Sequence, residues 1–119
     1  MTIDHSDVTS MSRKILEHHM GAFAAGVDEV LADYTDESVV ITSKGAIRGL
    51  SELRLFFQGF IDSAAPAFWD AYVLESKVCD GEYAFITWNA KPFVTFATDT
   101  FLIRDGKILM HTYASVAVS

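Results

Sequence analysis

The sequence predicts an α+β domain, with helices gathered in its N-terminal half and a curved antiparallel sheet in its C-terminal half. Three observations predict it. Apolar residues recur at a helical period as far as residue 61. After residue 68 the chain changes to long runs rich in β-branched and aromatic residues, separated by short turn signals. Asp105-Gly106 lies between two of those runs, 98–104 and 107–115, and readily supplies the positive φ angles of a tight hairpin. Helices followed by strands give segregated layers rather than alternating βαβ units.

Residues 1–9 are polar and read as a flexible lead-in to a single domain, 10–119. Across 10–25, Ile15, Leu16, His19, Met20, Ala22 and Phe23 gather on one side of a helix, with His18 at the flank. Gly26 ends it. A short second helix carries Val27, Val30, Leu31 and Tyr34 behind the acidic Asp28 and Glu29. Residues 38–42 read as a strand that turns back into a short segment at Ile47-Arg48, closed by Gly49. In the third helix, 50–61, Leu53, Phe56, Phe57, Phe60 and Ile61 match the amphipathic template at every step. Residues 63–66 form its exit loop.

The β half reads as strands 68–78, 82–91, 93–104 and 107–118, an antiparallel meander turning at Asp80-Gly81, Pro92 and Asp105-Gly106. Neither face alternates cleanly to polar. Cover is therefore expected on both faces, from the helices on one and a second subunit on the other. Ala84, Ile86, Trp88, Val94 and Phe96 are the residues expected at such a convex homodimer face.

Composition excludes several classes. The 119 residues suit one domain, and a chain that is 50% hydrophobic is not a disordered one. A net charge of −7, with nine scattered Lys and Arg, argues against a nucleic-acid partner. The single cysteine, Cys79, has no internal disulfide partner and no basic neighbour to make it a thiolate. The first residues lack the basic and apolar regions of a signal peptide, and no apolar run approaches the roughly 18 residues of a membrane helix. The expectation is a soluble cytoplasmic protein without membrane association. His18 and His19 are adjacent, with no HxxxH or Cys–His spacing, so no metal is expected. No glycine-rich phosphate loop or G-x-S-x-G elbow is present, so no cofactor is expected.

Three stretches carry a resemblance: FAAGVDEVLADYTDESVVIT, IRGLSELRLFF and DTFLIRDGKILMH. Their order and spacing, over about residues 10–115, resemble the nuclear transport factor 2-like superfamily, and its SnoaL-like branch in particular. The resemblance implies a cone-shaped α+β barrel, with three N-terminal helices packed on a curved antiparallel sheet around a pocket. The superfamily holds ketosteroid isomerases, polyketide cyclases, dehydratases, epoxide hydrolases and non-enzymatic binding modules, so fold does not define function here.

Asp99 falls where the resemblance places the protonated aspartate of an isomerase oxyanion hole, and Phe101 and Ile103 share its face. His19, counted back from Gly26, falls where that family has its second oxyanion donor, and an imidazole there could donate a hydrogen bond or transfer a proton. His111, Tyr113 and Ser115 share one face by the period of two, and the DGKI turn matches that face to the pocket. Each also has a plainer reading, as a strand-end or helix residue satisfied by its neighbours. The departures weigh more. Residues 41–43 read Ile-Thr-Ser where the isomerase carries its catalytic base, so true ketosteroid isomerisation is not expected. The epoxide-hydrolase Arg-x-Asp becomes Ala97-Thr98-Asp99, and the cyclase acid near the last strands is absent.

The candidate catalytic residues are thus Asp99, His19 and His111. The candidate ligand-binding residues are Phe23, Thr42, Phe85, Asn89, Phe101 and Tyr113. Matching by resemblance turns Phe85, Thr87 and Asn89 inward and Trp88 outward, and a one-residue slip would reverse this. Two functional readings follow. One is a cofactor-independent acid/base enzyme (isomerase, cyclase or dehydratase type) acting on a small apolar molecule. The other is a non-catalytic ligand-binding or dimerisation module on the same fold.

Overall fold

The structure, a computed structural model, describes residues 4–64 and 66–117. Expectations for residues 1–3, 65, 118 and 119 lie outside the described residues. Helix α1 (His5–Ala22) begins earlier than its apolar period suggests. The Asp4 carboxylate accepts the Ser6 backbone N–H at 3.0 Å and caps a first turn too polar to show in a hydrophobic pattern. Helix α2 (Val27–Leu31) follows Gly26, and the hairpin of β1 (Val39–Thr42) and β2 (Gly45–Arg48) leads into α3 (Leu50–Ser63).

A fourth helix, α4 (Pro66–Ala71), occupies the start of what the sequence suggests is a strand. Proline is favoured in a first helical turn, where its missing N–H has no intrahelical partner to lose. Six residues are too few to display a period, and Phe68-Trp69 read as β by composition. The strands are β3 (Tyr72–Asp80), β4 (Tyr83–Ala90), β5 (Val94–Arg104) and β6 (Lys107–Ala117).

These form one curved six-stranded sheet in the order β2-β1-β6-β5-β4-β3. It is mixed rather than wholly antiparallel, because β1 runs parallel to β6 with Val40 opposite His111. It is also open, with β2 and β3 as its edges, rather than a closed barrel. Asp105 and Gly106 have φ of 53° and 75°, the two positive angles that match a two-residue hairpin to sheet twist. The helices lie on the concave face, over a core that includes Leu16, Val30, Val40, Leu53, Phe101 and Ile108.

On β4 the orientation is the reverse of the expected one. Ile86 and Trp88 face the helices, and Trp88 is only 5% exposed. Phe85 is 39% exposed on the outer face, where Asn89 also lies and donates from Nδ2 to Glu75 Oε1 at 2.9 Å. The cause is the β3–β4 hairpin, whose register pairs Asp80 with Tyr83 and sends Tyr83, Phe85 and Thr87 outward together. Ala84, Ile86 and Trp88, with Val94 on β5, are accordingly core residues and not a convex dimer face, and of the expected set Phe96 is exposed. Among the described residues no helix is long and apolar enough to cross a membrane.

Candidate functional site

Between the helices and the concave sheet lies a cavity of about 180 Å³. His19, Asp99 and His111 all line it, together with Phe23 and Tyr113. His19 comes from α1, one turn before Phe23, and their rings meet edge to face at 5.2 Å. Asp99 and Tyr113 stand directly opposite each other on β5 and β6, and His111 pairs with Phe101 two residues along. Phe101 is wholly buried behind the wall, stacked on His111 at 4.3 Å. Thr42 stands apart from the cavity, at the β1–β2 turn, where its Oγ1 accepts the Lys44 N–H at 3.1 Å. Phe85 and Asn89 are on the opposite face of the sheet, so these three do not belong to the wall.

The structure adds residues that the sequence reading overlooked. Trp88 Nε1 donates to Asp99 Oδ1 at 2.8 Å. Asp99 Oδ2 lies 2.6 Å from His111 Nε2, and the Tyr34 hydroxyl lies 2.9 Å from His111 Nδ1. Burial holds the Tyr34 phenol well above its ordinary value of 10, so it keeps its proton. Its protonated hydroxyl pairs with Nδ1, and the Nε2–H of His111 donates to the Asp99 carboxylate. Both carboxylate oxygens of Asp99 and both nitrogens of His111 are then engaged. Tyr34 reads in the sequence as one more apolar position of a helical stripe; the signal was its hydroxyl, which needs a partner when buried. An indole N–H in a buried strand carried the same signal at Trp88.

His19 is the contrasting group. It is 4% exposed, and its Nδ1 has no hydrogen-bond partner among the described residues. The rings of Phe23, Tyr34, Phe57, Phe101 and His111 surround it edge to face at 5.2–6.3 Å. Burial lowers its pKa well below 6.5, and a neighbouring His111 adds to the effect, so the ring is neutral at pH 7. Next to it, His18 points out of the core and bridges Glu29 at 2.7 Å and Asp33 at 2.6 Å. Those carboxylates, Glu29 first, raise the His18 pKa. Adjacent positions on a helix point about 100° apart, so this brace on His18 fixes α1 with His19 turned inward.

The outer part of the cavity is aromatic. Phe56 and Phe60 of α3, Phe68 and Trp69 of α4, and Tyr72 at the start of β3 line it. Trp88 lies between Tyr72 and Tyr113, at 5.2 and 6.2 Å. Burial, with a smaller contribution from Asp99, pushes the Tyr72 pKa up to about 12, and burial also raises that of Tyr113. Both phenols are therefore protonated donors at neutral pH. Chemically the cavity wall carries one neutral imidazole, the protonated phenols Tyr72 and Tyr113, and the Asp99 and His111 end of a hydrogen-bonded Asp–His–Tyr chain.

No family model matches the sequence, and no curated protein is significantly similar to it. Solved structures are similar in shape. An NTF-2-like protein of unknown function from Burkholderia xenovorans superposes with a TM-score of 0.74 at 16% identity, over 92% of this chain and 86% of that one. A SnoaL-like protein of unknown function from Burkholderia thailandensis gives 0.72 at 12% identity, over 91% and 96%. A protein from Kribbella flavida provisionally assigned as a ketosteroid isomerase gives 0.72 at 13% identity, over 93% and 82%. The chain has the NTF2-like α+β cone fold that the sequence resemblance implied.

Proposed function

We propose that this protein is a cofactor-independent acid/base enzyme acting on a small, largely apolar molecule by an isomerase, cyclase or dehydratase type of reaction. One observation carries the reading: His19, Asp99 and His111 line a single aromatic cavity, and the buried His19 Nδ1 has no partner among the described residues. A buried, unsatisfied polar atom costs about 1–3 kcal/mol, which a purely structural site has no reason to keep. His19, neutral at pH 7, is the general base that takes a proton from carbon beside a carbonyl and returns it elsewhere. Negative charge then develops on the substrate oxygen at the His19 end of the cavity, in a water-poor setting whose wall includes the protonated phenols Tyr72 and Tyr113. Asp99 is a positioning residue in this scheme. It fixes His111, rather than donating a proton as its place in the sequence suggests.

The test needs no knowledge of the product. Enolisable cyclic ketones of one to four rings are incubated with the protein in D₂O, and exchange at the α-carbon is followed by NMR. Catalysed exchange with at least one ketone is expected, lowered by about 10²-fold or more in His19→Gln. Binding without exchange above the buffer rate for any ketone would remove the enzymatic reading.

The engaged state of Asp99 favours the second reading, a ligand-binding module. The cavity then offers no free carboxylate, and Thr42 and Ser43 stand where a base aspartate would be. Under either reading we propose a homodimer through the convex sheet face. Support comes from Tyr83, Phe85, Phe96 and Val116, which are exposed there by 39–61%.

A further inference from the structure

We propose that the cavity takes an uncharged, flat molecule of one ring or two small fused rings, carrying a single hydrogen-bonding group that meets His19. The inference rests on the cavity being a ligand site, as argued above, and narrows what that ligand is.

Size comes first. A dry protein cavity of about 150 Å³ admits benzene. The roughly 180 Å³ here therefore suits a substituted ring or a compact bicycle, and a four-ring skeleton would extend beyond it into solvent.

The walls then favour a flat π-system. Phe60, Phe68 and Trp69 meet edge to face at 5.2–5.9 Å around the outer part. Trp88 and Tyr113 lie nearly parallel, 23° apart, deeper in. A planar guest extends both arrangements, and aromatic contacts of this kind add to simple burial.

Charge is excluded by what the wall contains. Among the described residues no Lys or Arg lines the cavity, so an anion would be desolvated with no counter-charge and with Asp99 beside it. A cation would find aromatic faces, but each oxygen of Asp99 already accepts a hydrogen bond, from Trp88 or His111, so the carboxylate offers it only part of its acceptor capacity.

The polar handle follows from His19. A neutral imidazole offers one donor and one acceptor, and among the described residues no protein group uses the Nδ1 of this ring. A carbonyl or a hydroxyl on the ligand suits it. The hydrogen-bonding group of the guest thus lies at the His19 end, and its ring lies towards Trp69.

The chain's two tryptophans, Trp69 and Trp88, both line the cavity, so intrinsic fluorescence reports its occupancy. Four probes are titrated: 1-indanone, indane-1-carboxylate, benzyltrimethylammonium and a four-ring steroid ketone. Saturable quenching by 1-indanone is expected, with each other probe weaker by about tenfold or more, the factor that 1.4 kcal/mol represents. His19→Leu and His19→Gln are expected to weaken 1-indanone by about fivefold or more, the size of one net hydrogen bond. Preferential binding of the steroid, the carboxylate or the ammonium ion overturns the proposal while leaving the cavity a ligand site. Unchanged affinity in both His19 variants overturns the polar handle. Silence from all four probes removes the ligand-site reading, and the proposal with it.

Discussion

His19 and Asp99 face one cavity under opposite hydrogen-bonding conditions, and their variants should separate stability from function. His19 keeps a buried nitrogen without a partner, whereas Asp99 accepts from both Trp88 and His111. Removing His19 takes away an unmet polar atom. Removing Asp99 leaves two buried donors without an acceptor. His19→Leu should therefore raise unfolding stability by about 1 kcal/mol while lowering ligand affinity. Asp99→Ala should cost about 2–6 kcal/mol, because each of the two buried donors it leaves unsatisfied costs about 1–3 kcal/mol. Urea titrations of the three proteins check both directions, and a destabilised His19→Leu would contradict the account of that residue. At this scale the sequence was partly legible. His19, Asp99 and His111 stood out as titratable groups in apolar stripes. Tyr34 did not, because its ring satisfies a helical pattern and its hydroxyl partner lies 77 residues away.

Elements meet the sheet through a few polar clasps, and one sits at the far end of α1 from the cavity. Ser12 Oγ donates to the Gly81 carbonyl at 2.6 Å, and the Gly81 N–H donates to Thr9 Oγ1 at 2.8 Å. His5 Nε2 lies 2.6 Å from Asp80 Oδ1 on the same turn. The clasp ties the N-terminal turns of α1 to the β3–β4 hairpin, whose register turns Trp88 into the cavity. Ser12→Ala leaves a buried carbonyl short of a partner and should cost about 1–2 kcal/mol, read from thermal or urea unfolding. Most elements follow from sequence periodicity, as with α3, whose Leu53 and Phe57 are buried as the pattern requires. Helix α4 and the facing of β4 do not. A six-residue helix shows no period, and a strand apolar on both sides carries no mark of which side is inner.

The pH dependence of the whole molecule follows from groups that folding desolvates. His19 stays neutral when folded, whereas the unfolded chain binds its proton near pH 6.5. Stability should therefore fall as pH drops below 6.5, approaching about 1.4 kcal/mol per pH unit from this one residue. His18 acts in the opposite sense. Its raised pKa contributes stability below 6.5 that is lost as pH rises through the folded value, but its side chain is 39% exposed and the contribution is small. At the alkaline end Tyr34 and Tyr72 resist ionisation in the fold, so stability should decline once pH exceeds 10. Urea midpoints between pH 5 and 11 test the curve, and His19→Leu should flatten its acid side. The proposed homodimer belongs to this scale as well. Sedimentation should give a dimer that Phe85→Glu and Phe96→Glu, on the exposed convex face, convert to a folded monomer. A monomeric parent protein at micromolar concentration would exclude the interface.

Local chemistry is enough to define α1 to α3, the hairpin turns and the α+β class, because periodicity and turn residues act over a few positions. The same chemistry marks His19, Asp99 and His111 as polar groups in apolar surroundings. The site itself depends on contacts made across the chain. Tyr34 reaches His111 from beyond α2, Trp88 reaches Asp99 across a strand pair, and the register of one hairpin chooses Trp88 over Asn89 for the interior. A side-chain period of two makes those alternatives equivalent until the sheet is assembled against its helices.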